Sequence, residues 1–226
     1  MSRFSGRREV ALGLGVYALY LGVRAAVYND DGRRRADRNA ARIVDLERRL
    51  GLHVEPRVQR ILLPRKRLLT VLNGAYMTLN VGLTVGWLAD LYRRGDPAFF
   101  RYRTAVALAT AGAQPVYLLF PASPPRKLDH LVDTIAEAGL DLDSGLVSKL
   151  YCPIGAMPSI HLAYAVVVAA AIRGTGRSRW LRAAAPAYPP AVAFTVLATA
   201  NHYLLDGIAG ALLGRAALRL SSRLVA

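Results

Sequence analysis

Apolar residues in this chain fall in blocks, and polar, mostly basic segments separate the blocks. A bilayer core is crossed by a helix of about 20 predominantly apolar residues. Six blocks approach that length: residues 10–27, 68–92, 104–120, 158–172, 183–200 and 203–220. The first carries Arg24 in its last turn, where a long side chain can reach the headgroups. The second is interrupted by Asn73, Tyr76, Thr78 and Asn80, which the pattern turns toward other helices rather than lipid. The third is stopped by Pro121, and the fifth is predicted despite Pro186, Pro189 and Pro190.

Between the first two blocks, residues 29–67 are polar and rich in arginine. Ile43, Leu46 and Leu50 recur at helical spacing, as do Val54, Val58, Ile61 and Leu62. Gly51 and Pro56 separate the two patterns. They predict two amphipathic helices lying in the interface against anionic headgroups, with a solvated basic loop as the plainer alternative. The connection 121–156 opens on Pro121-Ala-Ser-Pro-Pro-Arg126, whose prolines prevent helix. A short helix is expected over 127–138 and irregular chain over 139–155. The expected fold class is therefore an all-α integral membrane protein, a six-transmembrane-helix bundle with interfacial amphipathic helices between spans one and two. Residues 1–226 form a single membrane-embedded domain.

Composition agrees with this reading. The hydrophobic share is 54%, above the roughly 45–50% of soluble domains. The net charge of +15 raises nucleic acid as a partner, but the arginines sit between apolar blocks, where membrane proteins keep headgroup-facing charge. The expected partners are membrane lipids and no nucleic acid. Cys152 is the single cysteine, which excludes an intramolecular disulfide, and no Cys/His spacing suits zinc. With the 29–67 segment set aside, positive charge concentrates on the side of both termini and makes it cytoplasmic. With the segment included, the two sides nearly balance. The first arrangement puts the long loop on the outer face of a plasma membrane.

Two histidines stand at the edges of apolar blocks, where a titratable group is costly and marks a candidate site. His202 and Asp206 share one face of a helix start. A carboxylate at one ring nitrogen leaves the other with its lone pair and steadies the imidazolium formed when the ring attacks. A structural pair or a proton relay in a small transporter or scaffold uses the same two residues. His161 follows Pro158-Ser159 at another helix start, which suits phosphate, with Ser159 as a hydroxyl donor and His161 as a general acid. Packing between helices is the plainer account of His161. Arg126 is a phosphate clamp by its planar fork, or a loop charge that sets topology. Arg103, Arg101 and Lys149 are weaker candidates of that kind. Together these residues supply a nucleophile, its orienting acid, a proton donor and a cation.

Three motifs carry a resemblance. Pro121–Arg126, Met157-Pro-Ser-Ile-His161 and Thr199-Ala-Asn-His202-Tyr-Leu-Leu-Asp206 resemble, in order, the three motifs of the type 2 phosphatidic acid phosphatase superfamily. The first has the Ala-Pro-Pro-Arg-like form of its inositol phosphorylceramide synthase-like branch. Glu47, Glu55, Gln59 and Asn73-Gly-Ala-Tyr76 are similar to that branch as well. The resemblance implies a lipid phosphate phosphatase or phosphotransferase that needs no metal or other cofactor. His202 would form a phosphohistidine, oriented by Asp206. His161 would act as acid, and Arg126, with the Ser159 region, would hold phosphate. The acceptor would be water or an alcohol such as inositol. The sequence departs from the wider pattern at Leu119 and Val196, where cations stand in the superfamily. It departs from the branch at Asn80, where histidine is common, and at Tyr151–Gly155.

Overall fold

The computed structural model describes residues 4–127, 131–139 and 147–225. Helix dominates, and among the described residues the only bridge-type pairing joins Ala122 to Gly155. In chain order the helices are α1 (Gly6–Val27), α2 (Asp30–Leu50), α3 (Glu55–Leu62), α4 (Lys66–Gly74), α5 (Asn80–Arg93), α6 (Ala98–Leu119), α7 (Thr134–Glu137), α8 (Val147–Leu150), α9 (Ile160–Thr175), α10 (Arg179–Ala184), α11 (Tyr188–Ala198) and α12 (Leu204–Leu224). A π-helical turn, Ala75–Leu79, joins α4 to α5 without a break, and a 3-10 turn, Ala185–Ala187, joins α10 to α11.

Helix lies at each of the six expected blocks. By length and composition, α1 and the continuous Lys66–Arg93 unit can cross a membrane. The other four fall short in length or in apolar content. Prolines 186, 189 and 190 fall at the starts of the 3-10 turn and α11, where the missing N–H has no helical partner to lose. α6 begins at Ala98, six residues before the apolar block, so Arg101 and Arg103 belong to its first turns.

α9 and α12 form the centre of the bundle, and α6 packs on both. Their contact is close because Gly210 and Gly214 lack side chains. A Cβ on Gly210 would lie 2.1 Å from the Ser159 carbonyl oxygen, and one on Gly214 would lie 2.6 Å from that of Ala163. This is the small-xxx-small spacing that lets two helices approach backbone to backbone. Phe4 and Val225 pack into one cluster with Leu91, Phe99 and Phe100, so both ends of the described chain lie at the same end of the bundle. The loops bearing Arg126, Met157–His161 and Asn201–His202 lie at the other.

Several expectations change. α2 is one helix of 21 residues, ended by Gly51 at φ 68°, a left-handed cap that glycine adopts without a Cβ clash. Its buried stripe is Gly32, Ala36, Asn39, Ala40, Ile43, Val44 and Glu47. Leu46, Leu50 and, on α3, Ile61 are exposed instead. Thr78 is exposed too, its hydroxyl donating to the Gly74 carbonyl, while Asn73 and Asn80 are buried as the pattern required. Arg24 does not reach outward: its Nε donates to Tyr151 O at 2.8 Å and its guanidinium lies over the Tyr28 ring. The helix expected over 127–138 is the single turn α7, and residues 128–130 of that expectation lie outside the described residues.

Candidate active site

α2 lies across the site end of the bundle and fixes the first motif. Asn39 Nδ2 donates to Pro121 O at 2.8 Å, Ser123 Oγ bonds Asp37 Oδ1 at 2.5 Å, and Ser123 N–H donates to Ala36 O at 3.2 Å. The first and second motifs are then laced together through backbone. Ala122 N–H donates to Ile154 O at 2.8 Å, and Ala156 N–H donates to Ala122 O at 3.1 Å. Arg126 N–H donates to Ala200 O at 2.8 Å, which joins the first motif to the third. Ala200 has φ 51°, a conformation disfavoured for a residue with a Cβ. The turn it makes also sets Asn201 beside Arg126.

The Arg126 guanidinium is buried and held by three side chains. Nε donates to Asn201 Oδ1 at 3.0 Å, one terminal nitrogen donates to Asp133 Oδ2 at 2.8 Å, and the other meets Tyr151 Oη at 3.4 Å. Asp133 is placed in turn by two amide side chains. Gln59 exchanges hydrogen bonds with the Val132 backbone at 2.7 and 2.9 Å. Asn73 Nδ2 donates to Thr134 O at 2.8 Å and its Oδ1 accepts from the Thr134 hydroxyl at 3.1 Å. A segment with little secondary structure of its own thus has its backbone groups satisfied, and Asp133 is delivered to Arg126.

His202 is buried at the start of the α12 motif. Its Nδ1 lies 2.9 Å from Ala156 O and 3.4 Å from Asp206 Oδ2. An N–H at Nδ1 serves both acceptors, which leaves Nε2 as the nitrogen with the lone pair. Asp206 is fully buried behind the ring. Its Oδ2 accepts the Tyr203 N–H at 3.0 Å, and its backbone O accepts the Ser159 N–H at 3.0 Å, so one residue ties the second motif to the third. His161 meets His202 edge to face, with ring centroids 5.7 Å apart, and stacks on Tyr76 at 4.5 Å. Tyr76 reaches it from the π-helical turn, a local widening often found at functional sites. Asn80 Nδ2 donates to His161 O at 3.1 Å.

Arg126, His161, His202, Asn201, Tyr76 and Tyr151 line one end of a cavity of about 1050 Å³. Ser159 does not reach its wall. It is fully buried, and its Oγ accepts the Leu162 N–H at 3.4 Å as the cap of α9. Arg103 is not brought to this end at all. It pairs with Glu9 at 3.1 Å near the start of α6, about 21 Å along that helix from Tyr117 at 1.5 Å per residue. Lys149 lies on α8, and Arg101 lies over the Tyr102 ring at the far end.

Sequence reasoning gave no role to Ala156, Asp133, Asn201 and Tyr151. It also missed a buried group under α12. Glu55 Oε1 accepts the Leu204 N–H at 2.7 Å, and Glu47 Oε1 accepts the Leu205 N–H at 2.8 Å. Their second oxygens face His53 Nδ1 at 3.1 and 3.6 Å. Burial pushes the Glu47 carboxyl up to about 8, the Leu205 N–H opposes this, and Glu55 and Asp206 push in the same direction as burial. Among the described residues these three offer ligand atoms within 4.8 Å of one another, a spacing able to hold a metal ion. Their contacts already account for them as a clamp on the first turn of α12. The only advance signal was Glu47 and Glu55 in the branch-like segment.

A family model described as the PAP2 superfamily matches residues 41–220. No curated protein and no solved structure matches the chain. The matched stretch runs from within α2 into α12 and contains Arg126, Ser159, His161, His202 and Asp206. The chain belongs to the PAP2 superfamily, whose members are generally phosphatases.

Proposed function

We propose that this chain is a membrane enzyme that cleaves or transfers the phosphoryl group of a lipid phosphate through a phosphohistidine on His202. The membrane-crossing helices are α1, the α4–α5 unit, α6, α9, the α10–α11 unit and α12. The observation that carries the reading is His202: Nδ1 is occupied on the protein side, and its ring shares a cavity wall with His161 and Arg126.

Nε2 attacks phosphorus, and the bond from phosphorus to the lipid alcohol oxygen breaks. His161 gives that oxygen its proton. Asp206 and Ala156 O steady the imidazolium that carries the phosphoryl group. Asn201, Asp133 and Tyr151 fix the plane of Arg126, whose fork suits the non-bridging oxygens. In the second half, water or an alcohol such as inositol attacks phosphorus and passes its proton to His161. The P–N bond then breaks and His202 is restored. Water as acceptor makes the protein a phosphatase; an alcohol makes it a phosphotransferase of the inositol phosphorylceramide synthase-like branch. Gln59 and Asn73, which resemble that branch, support the second possibility through their hold on Asp133. With the basic residues of 29–67 set aside, arginines gather at the bundle end that holds Phe4 and Val225, which favours a cytoplasmic position for that end and an extracytoplasmic site in the plasma membrane.

The test is purified protein with candidate lipid phosphates, with and without inositol, followed for phosphate release and for an acid-labile phosphoenzyme. His202→Ala is expected to lose turnover by about 10⁴-fold and to form no phosphoenzyme. Full activity in that variant removes the mechanism.

A further inference from the structure

α1 lies outside the stretch matched by the family model, yet it builds one wall of the cavity that holds His161 and His202. It is tied down at both ends. At the site end Tyr17 donates to Leu150 O at 2.8 Å, Arg24 Nε donates to Tyr151 O at 2.8 Å, and the Cys152 N–H donates to Tyr20 Oη at 2.6 Å. At the far end Glu9 pairs with Arg103 at 3.1 Å, and Phe4 packs against Tyr92 and Phe100. Between these ties α1 runs along α6. The cavity wall there is Gly13 and Val16 of α1, Val81 and Leu88 of α5, and Val106 and Ala107 of α6.

The cavity is therefore a slot with two chemically different parts. Its head end has a guanidinium, two imidazoles and the start of α9. Its shaft is hydrocarbon, from the level of Tyr117 down to Arg103, about 21 Å at 1.5 Å per residue. Half of a bilayer's hydrocarbon core is about 15 Å, so the shaft passes the midplane.

We propose that this slot holds the hydrocarbon tail of the phosphate ester processed at His202, with α1 as its wall and the Glu9–Arg103 pair as its floor, so that substrates are selected by tail length. The proposal rests on the lipid-phosphate reading above. An amphiphile with one anionic head and one extended tail matches both parts of the slot together. A water-soluble phosphate ester fills only the head end and forgoes the remote contacts that help drive turnover. Arg103 then has a place in recognition, at the bottom of the tail rather than at the phosphate.

Two glycines of α1 provide the test. A Cβ on Gly13 or on Gly15 meets nothing within 4 Å, and any side chain other than proline suits a helix better than glycine. Gly13 is on the cavity wall and Gly15 is not. Gly13→Trp therefore plugs the shaft about 10 Å below Tyr20, and Gly15→Trp is the matched control. Gly13→Leu repeats the plug at smaller size.

Each protein, in lipid nanodiscs, is given alkyl phosphates of increasing chain length and followed for phosphate release. Each is also photolabelled with a non-hydrolysable alkyl phosphonate bearing a diazirine at the tail end. In Gly13→Trp, kcat/KM for the longest chains should fall roughly tenfold or more while the short chains are kept. The label should move from the level of Glu9 to that of Val16. Gly15→Trp should match the wild type in both assays. A wild-type chain-length profile and label position in Gly13→Trp overturn the proposal. If the label moves as expected but the wild type releases no phosphate from any substrate, the slot stands and the enzyme reading falls. If phosphate is released with a profile indifferent to Gly13→Trp, the enzyme stands and the slot falls.

Discussion

α9 and α12 both begin at the site end of the bundle, and their first turns are treated in opposite ways. At α9 the cap is Ser159, whose hydroxyl accepts one N–H at 3.4 Å, and Ile160 and His161 open onto the cavity. At α12 the first turn is covered by carboxyl groups: Glu55 on Leu204, Glu47 on Leu205 and Asp206 on Tyr203, all at 2.7–3.0 Å. A helix start carries partial positive charge and unpaired N–H groups. At α12 both are already used by the protein, so that start is a foundation for His202. The first turn of α9 has no acidic residue of its own, and Ile160 and His161 line the cavity that Arg126 also lines. The difference makes one helix start a fixed foundation and leaves the other at the cavity wall.

The largest effect should come from the α12 side. Glu55→Ala leaves the half-buried Leu204 N–H without its acceptor and removes one carboxylate from His53. Hydrogen bonds to charged groups contribute about 1.5–3 kcal/mol, and a loss in that range is expected in denaturant unfolding of the detergent-solubilised protein. Because α12 carries Asp206 and follows His202, kcat should fall with KM little changed. Glu55→Gln keeps an acceptor oxygen and should recover most of the turnover. A Glu55→Ala protein with wild-type stability and turnover would remove the foundation role from the α12 start.

Ser159→Ala tests the other side and should do less. Removing a serine cap costs about 1 kcal/mol, and here the bond is long. The Ser159 N–H and carbonyl, which bind Asp206 O and the Ala163 N–H, are untouched. Stability should drop by less than in Glu55→Ala, with KM for phosphate esters rising only slightly. A larger loss in Ser159→Ala than in Glu55→Ala would reverse the comparison.

The same contrast shows what the sequence could and could not reveal. The helices were legible because apolar blocks of spanning length leave few other folds open, and boundaries failed where polar residues extend a helix, as at residues 98–103. His161, His202, Asp206 and Arg126 were legible because each sits at a local signal: a helix start, an i,i+4 pair, a proline-stiffened loop. The partners that make them a site come from elsewhere in the chain. Glu55 and Leu204 are 149 residues apart, and Gln59 and Val132 are 73 apart. No local periodicity encodes such contacts. Arg103 was misjudged as a phosphate holder because its residue type fits, whereas its place near the start of α6 puts it a helix length away, against Glu9.

The smallest effect is the most specific one, and it asks whether the α12 start is held by charge or by a neutral acceptor. Glu47 is buried, and its carboxyl is pushed from an ordinary value of 4.5 up to about 8. In the folded protein it keeps its proton up to that range, whereas in the unfolded chain it releases it near 4.5. Between those values the folded state binds more protons, so the stability Glu47 contributes is full below 4.5 and is lost as pH rises toward 8. Glutamine has the shape of the protonated acid and does not titrate. It can still accept the Leu205 N–H and can donate to Glu55 Oε2. Glu47→Gln should therefore gain on the wild type as pH rises through this window, and its curve of thermal midpoint against pH should be flatter. Identical slopes would mean that Glu47 is ionised in the folded protein at neutral pH. The Leu205 N–H would then be held by a charged acceptor.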